Sequence, residues 1–217
     1  MLSKIKTAIR NTPLYDGYNG FRYGLEWFYW AAGKLERAPH RLKRRVILKR
    51  ARDFNLRCFV ETGTFFGDMV HAQRKNFDQL VSIELDDYLF ERAKKRFRNQ
   101  PHIRILKGDS GEKIAEILSG MNEPCLFWLD AHYSGGLTAR GEVITPVFKE
   151  SHHILTHPVQ NHVVLIDDAR LFNGADGYPT FWELQEFVNS FGRDYLAWID
   201  NDTISIARMR KDCMGRL

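Results

Sequence analysis

Five short apolar runs, each ending in an acidic or small residue, constrain this chain more than any other feature. They read RCFVETG at 57–63, QLVSIELD at 79–86, HIRILKGDS at 102–110, PCLFWLDAH at 124–132 and HVVLIDDAR at 162–170. Both faces of each run are apolar, as in strands of a parallel sheet covered by helices on either side. Helical texture fills the gaps, at 68–77, 88–98, 111–118 and 145–155. Strand then helix, repeated, predicts a doubly wound α/β sheet with right-handed crossovers. The C-terminal end departs from this alternation. A helix is expected over 180–191, and YLAWID at 195–200 and TISIARM at 203–209 flank Asn201-Asp202 as a tight hairpin. The expectation is a mostly parallel seven-stranded α/β sheet with an antiparallel C-terminal hairpin.

Composition narrows the class. Hydrophobic residues at 44% and charged residues at 27% of 217 exclude a disordered or collagen-like chain. Cys58, Cys125 and Cys213 are odd in number and form no CxxC pair, so a reducing compartment is expected rather than a disulfide framework. The apolar runs are too short for a membrane span, and the start lacks a run of signal-peptide length. These points predict a cytoplasmic protein. The net charge of +5 is unevenly placed: residues 1–57 carry 14 Lys and Arg against 4 Asp and Glu, the rest 18 against 23. The segment 1–56 is therefore read as a basic, aromatic-rich helical extension of a main domain at 57–217. Within it, HRLKRRVILKRARDF at 40–54 has the spacing of an amphipathic helix with a basic outer face. A basic segment can meet nucleic acid, an anionic membrane or an acidic partner, or simply be a solvated face. No RNA- or DNA-binding motif accompanies it, which disfavours nucleic acid. Phe21, Tyr23, Trp27, Phe28, Tyr29 and Trp30 are too apolar for one patch in water. They are expected to cover the acceptor side of a site, to meet another subunit as in a homodimer, or to touch a membrane surface.

In open α/β sheets, ligands bind beyond the carboxyl ends of the strands. The first run ends in Glu61-Thr62-Gly63-Thr64-Phe65-Phe66-Gly67, where Gly63 and Gly67 allow a tight turn and close ligand approach. This is neither GxGxxG nor a P-loop. The second run carries Glu84, 23 residues after Glu61, placed to hold ribose hydroxyls or to favour a helix dipole. The third ends in Gly108-Asp109-Ser110, where Asp109 can accept from an adenine amino group or cap the next helix. The three together favour an adenosine-containing ligand.

VETGTFFG, SIELD, LKGDS and FWLDAHYSGG, with the closing hairpin, resemble the class I S-adenosylmethionine (SAM)-dependent methyltransferases over roughly residues 57–210. The resemblance implies a Rossmann-like fold. It also implies that Glu61, Gly63, Thr64 and Gly67 hold the methionine part of SAM, Glu84 the ribose, and Asp109 with Ser110 the adenine. It places Asp130 beside the cofactor. Thr64-Phe65-Phe66 depart from the smaller residues common in that loop.

Asp130 ends the fourth run and Asp167-Asp168 the fifth. Three converging carboxylates repel one another unless a cation lies between them, and an all-oxygen set suits magnesium. The arrangement resembles the metal-dependent O-methyltransferases of catechols and macrolide sugars, which implies Mg2+ on Asp130, Asp167 and Asp168 activating an acceptor hydroxyl. The base lysine of the catechol enzymes has no counterpart in Asp130-Ala131-His132-Tyr133, so His132 is the expected general base beside catalytic Asp130. The expected activity is O-methylation of a small molecule or sugar. The competing expectation is a non-catalytic or nucleic-acid-associated protein that keeps the fold and binds through its basic segment.

Overall fold

In the computed structural model the described residues are 13–130 and 146–209. Two helices come first, α1 (Pro13–Ala31) and α2 (His40–Asp53). The sheet and its connections follow: β1 (Cys58–Thr62), α3 (Asp68–Gln73), β2 (Gln79–Glu84), α4 (Asp87–Phe97), β3 (Ile103–Lys107), α5 (Ser110–Ser119) and β4 (Cys125–Leu129). The chain resumes with α6 (Val147–Leu155), β5 (Val163–Ile166), a single 3-10 turn at Ala169–Leu171, α7 (Phe181–Asn189), β6 (Tyr195–Asp200) and β7 (Thr203–Arg208). The strand order is β3-β2-β1-β4-β5-β7-β6. All pairings are parallel except those of β7 with β5 and with β6. The direction of winding reverses between β1 and β4, which opens a crevice beyond their carboxyl ends.

The doubly apolar strands explain the layering. Every residue of β1, β4 and β5 is buried, and the sheet separates two apolar clusters. One face packs Val60, Phe127 and Val164 against Ile114, Ile154 and Leu184 of the helices. The other packs Phe59, Trp128 and Leu165 with Val70, Phe97 and, from α2, Val46, Ile47 and Ala51. The basic helix thus contributes its apolar stripe to the main core. Burying three such side chains stabilises this contact by several kcal/mol, at about 25 cal/mol per Å2 of apolar surface.

Local signals fix the helix ends. Asp86 caps α4 by accepting from the Leu89 N–H at 2.8 Å, and Leu89, Ala93 and Phe97 form its buried stripe. Thr180 and Glu183 make a reciprocal capping box at the start of α7. Helix α3 stops short of the expected 77, because Asn76 turns its side-chain amide back onto the Ala72 carbonyl (3.3 Å) and Gln73 (3.0 Å). At the hairpin both Asn201 and Asp202 are left-handed, with φ of 51° and 62°, the conformation that a two-residue connection of this twist needs. On α1, Tyr23 is buried, whereas Phe21 and Phe28 are 69% and 63% exposed on the opposite side.

Candidate functional site

The β1–α3 turn is held by hydrogen bonds from its neighbour strand. The Gly63 and Thr64 N–H groups both donate to the Ile83 carbonyl at 3.0 Å. Gly67 has φ +72°, and a Cβ there would lie 2.8 Å from the Phe97 ring, so only glycine fits without a shift. Phe65 is left-handed at φ 49°, rare for a bulky residue. Its N–H donates to Glu84 Oε2 at 2.7 Å, which pins the strained turn to the end of β2. The Asp86 N–H donates to Glu84 Oε1 at 2.9 Å. Burial raises the Glu84 pKa, and these backbone bonds oppose the rise. Glu61 is buried, and Ser82 Oγ donates to its Oε2 at 2.6 Å, with Thr64 Oγ1 a further 2.6 Å from Ser82 Oγ. Burial pushes the Glu61 carboxyl well above its ordinary range despite that bond.

At the start of α5, the Asp109 side chain makes no capping hydrogen bond, so its carboxylate is not spent on the helix end. Ser110 beside it is buried. At the other side of the switch point, Asp130 is tied to β1: its N–H bonds to Thr62 Oγ1 at 3.1 Å.

A cavity of about 280 Å3 lies beyond these strand ends. Glu61, Gly63 and Thr64 form one wall, Asp130 and Asp167 a second, and side chains of α1 and α2 the roof. His40 in the roof stacks on Tyr23, with ring centroids 4.6 Å apart and planes 9° from parallel. Burial lowers the His40 pKa to about 4, so the ring is neutral at pH 7.

The roof also carries Lys43, whose Nζ lies 2.6 Å from Asp167 Oδ2 and 2.9 Å from Asp168 Oδ1. Burial alone would lower the Lys43 pKa, but Asp167, Asp168 and Asp130 outweigh it and hold the ammonium charged. Asp168 is left-handed at φ 56° and also accepts from Arg170 Nη1 at 2.9 Å. Lys43 and Arg170 overcome the burial effect and bring its carboxyl down to about 2. Asp130 goes the other way: burial raises it to about 7, opposed by Lys43 and assisted by Asp168.

These distances give no support to the expected magnesium site. A cation does sit among the strand-end carboxylates, but it is the Lys43 ammonium. Among the described residues, no group of three His, Cys, Asp or Glu side chains is placed to hold a metal ion. Asp130, Asp167 and Asp168 therefore do not fit a divalent ion in this arrangement. The expected solvated face of α2 is also only partly so, since Arg50 is 3% exposed. It bonds to Ser205 (3.4 Å) and Asp200 (3.3 Å).

The expected site residues thus divide into groups. Glu61, Gly63, Thr64, Asp130 and Asp167 meet at one cavity, with Asp168 adjoining through Lys43. Gly67 and Glu84 support the loop, while Asp109 and Ser110 stand at the next strand end, outside the cavity lining. His132 and the stretch 134–142 lie outside the described residues.

No protein-family model matches the sequence, and no curated protein matches it. Solved structures do. The O-methyltransferase TomG of Streptomyces achromogenes, in complex with SAM, aligns at a TM-score of 0.59 and 16% identity over 85% of this chain and 86% of that one. An O-methyltransferase from Bacillus cereus, in complex with SAH, gives 0.58 and 10% over 95% and 97%. CalS10 of Micromonospora echinaspora, an amino pentose methyltransferase bound to SAM, gives 0.52 and 12% over 85% and 96%. The fold is that of the class I SAM-dependent methyltransferases.

On this methyltransferase fold, sequence reasoning missed two sets of residues. Lys43 and His40 gave no motif, because each is brought to the site by helix packing alone, whereas Tyr23 of the expected aromatic run does line the cavity. Glu150 on α6 is 1% exposed with Oε1 unpartnered, and burial raises its pKa to about 7 against hydrogen bonding with Ser110 and Thr62. Among the described residues, no helix is long and apolar enough to cross a membrane.

Proposed function

We propose that the chain is a SAM-dependent methyltransferase acting on a hydroxyl of a small molecule or sugar. The observation that carries this reading is the shared cavity, in which the Glu61–Thr64 loop faces Asp130, Asp167 and the α2 side chains. A cofactor loop and a set of polar side chains lining one cavity are what a direct transfer between two bound molecules requires. SAM-bound neighbours of the same fold support the donor, and the O-methyltransferase and amino pentose methyltransferase among them support the acceptor class.

In this reading Glu84 accepts from the ribose hydroxyls with its remaining lone pairs, and Asp109 with Ser110 faces the adenine. Backbone groups of Gly63, Thr64 and Gly67, with Glu61 and Asp130 behind them, hold the methionine end. The sulfonium supplies an electrophilic methyl group: the acceptor oxygen bonds to it as the carbon–sulfur bond breaks, and that electron pair stays on sulfur. Asp130 on the cavity wall, or His132, takes the hydroxyl proton. The inward-turned Lys43 and Arg50 weigh against α2 as a phosphate-binding face, and hence against the nucleic-acid alternative. Calorimetric titration with SAM and SAH tests the proposal. One-site binding of both is expected, and no binding of either up to millimolar concentration would sink it.

A further inference from the structure

We propose that Lys43 is the built-in cation of this site, an ammonium delivered by α2 to the position where a divalent ion would sit, presenting its remaining donor to the acceptor oxygen. The inference rests on the methyltransferase reading only for the identity of that oxygen. The geometry is that of an occupied position. The ammonium lies within hydrogen-bonding distance of both carboxylates of the Asp167-Asp168 pair, and the three side chains are only 13%, 4% and 12% exposed. A lysine ammonium has three donors, and two are engaged here. The third serves the cavity that Lys43 lines together with Asp130.

The delivery is rigid. Val46 and Ile47, on the next turn of α2, are 3% and 0% exposed in the core under the sheet. The chain entering α2 is fixed as well, for the Ala38 N–H donates to Asp202 Oδ2 at 3.1 Å. On the far side of Asp168, Arg170 Nη1 shares the same Oδ1 that Lys43 uses. Two protein cations therefore already face the strand-end carboxylates, and a divalent ion could enter only by displacing Lys43 against its charge. Strand-end acids that look like metal ligands are, in this chain, the holder of a lysine. Asp167 and Asp168 then act as positioning residues, and Lys43 as the group that meets the acceptor.

The prediction is that removing the lysine creates a metal site. Mn2+ is titrated into the wild type, Lys43→Ala, Lys43→Met and Lys43→Arg, and followed by calorimetry and by its paramagnetic resonance signal. The wild type and Lys43→Arg should show no one-to-one binding up to millimolar Mn2+. Lys43→Ala and Lys43→Met should bind one ion at least about tenfold more tightly. At 100 times its Kd, the ion should raise their Tm by roughly 5–10 °C. A variant that folds cooperatively only with Mn2+ present counts for the proposal, whereas a folded variant that melts identically with and without it overturns the proposal. One-to-one binding by the wild type, or loss of wild-type methyl transfer in EDTA, also overturns it. The Mn2+ outcomes do not depend on SAH binding, so failure of the donor reading and failure of this one are told apart.

Discussion

At the β1–β3 edge of the site, the groups proposed for the nucleoside, Glu84 to Ser110, come from one continuous stretch, and each stands where its own strand ends. At the β4–β5 edge, Lys43 reaches Asp167 and Asp168 across 124 and 125 residues of chain. The first edge works through turns and backbone N–H groups, as when Glu84 accepts from Phe65 and Asp86. The second works through side-chain charges buried together. A ligand held by the first edge is recognised by shape and local hydrogen bonds. Chemistry at the second depends on how several charges are balanced, and such balance is lost when any one member is removed.

That contrast can be broken most severely at Asp130. Asp130→Ala should lower methyl transfer to a hydroxyl acceptor by about 10²- to 10⁴-fold, the range for losing a proton-transfer group. SAH affinity should stay within about tenfold, or 1.4 kcal/mol. Parallel turnover and calorimetric measurements check the split, and an equal loss in both would erase the distinction between the two edges. A smaller effect is expected from the opposite edge. Glu84→Ala should weaken SAM and SAH by about 1–3 kcal/mol, through lost hydrogen bonds to a charged group and a loosened Phe65 turn. Unchanged affinity would remove Glu84 from the nucleoside site.

The smallest expected effect sharpens the comparison from below. Glu150 lies under both edges, near Thr62 and Ser110, with its carboxyl raised to about 7 from the ordinary 4.5. Between those values the folded chain holds a proton that the unfolded chain has released, so stability falls as pH rises through this window and levels off above it. The full gap is worth roughly 3 kcal/mol. An amide replaces the hydrogen bonds imperfectly, so Glu150→Gln should gain about 1–2 kcal/mol over the wild type at pH 8 and little at pH 5. Urea denaturation at both pH values reads this directly, and a gain that does not grow with pH would show that Glu150 keeps its charge when folded.

How much of this was legible in the sequence follows the same division. The three central strands were readable because doubly buried strands must be apolar on both faces, as CFVET, CLFWL and VVLI are. The hairpin was readable because Asn201-Asp202 tolerates a left-handed turn. Glu61, Glu84, Asp109 and the aspartates ending β4 and β5 were readable because a strand end is a position along the chain. The need for a cation among the aspartates was readable too, from repulsion alone. Its identity was not. Lys43 sits in a run of basic residues, and only its spacing of three and four from Val46 and Ile47 sets it apart from its exposed neighbours Arg41 and Arg45. Only the packing of Val46 and Ile47 against the sheet decides which basic residue turns inward, and helix-to-sheet packing leaves no motif.

Asp202 carries a consequence for how the protein is made. Its side chain accepts from the Ala38 and Arg170 N–H groups, and its carbonyl from Ala169, so one turn residue knots the entry of α2 to the segment after β5. Helix α2 emerges from the ribosome long before its anchors exist. At about 5–20 residues per second, Lys43 waits roughly 6–25 s for Asp167, which follows it by 124 residues. During that interval the lysine has no paired aspartates to meet, and the sheet face under the α2 stripe is complete only when β5 has followed β1 and β4. The roof of the cavity therefore cannot close until Asp167, Asp168 and Asp202 have all been made.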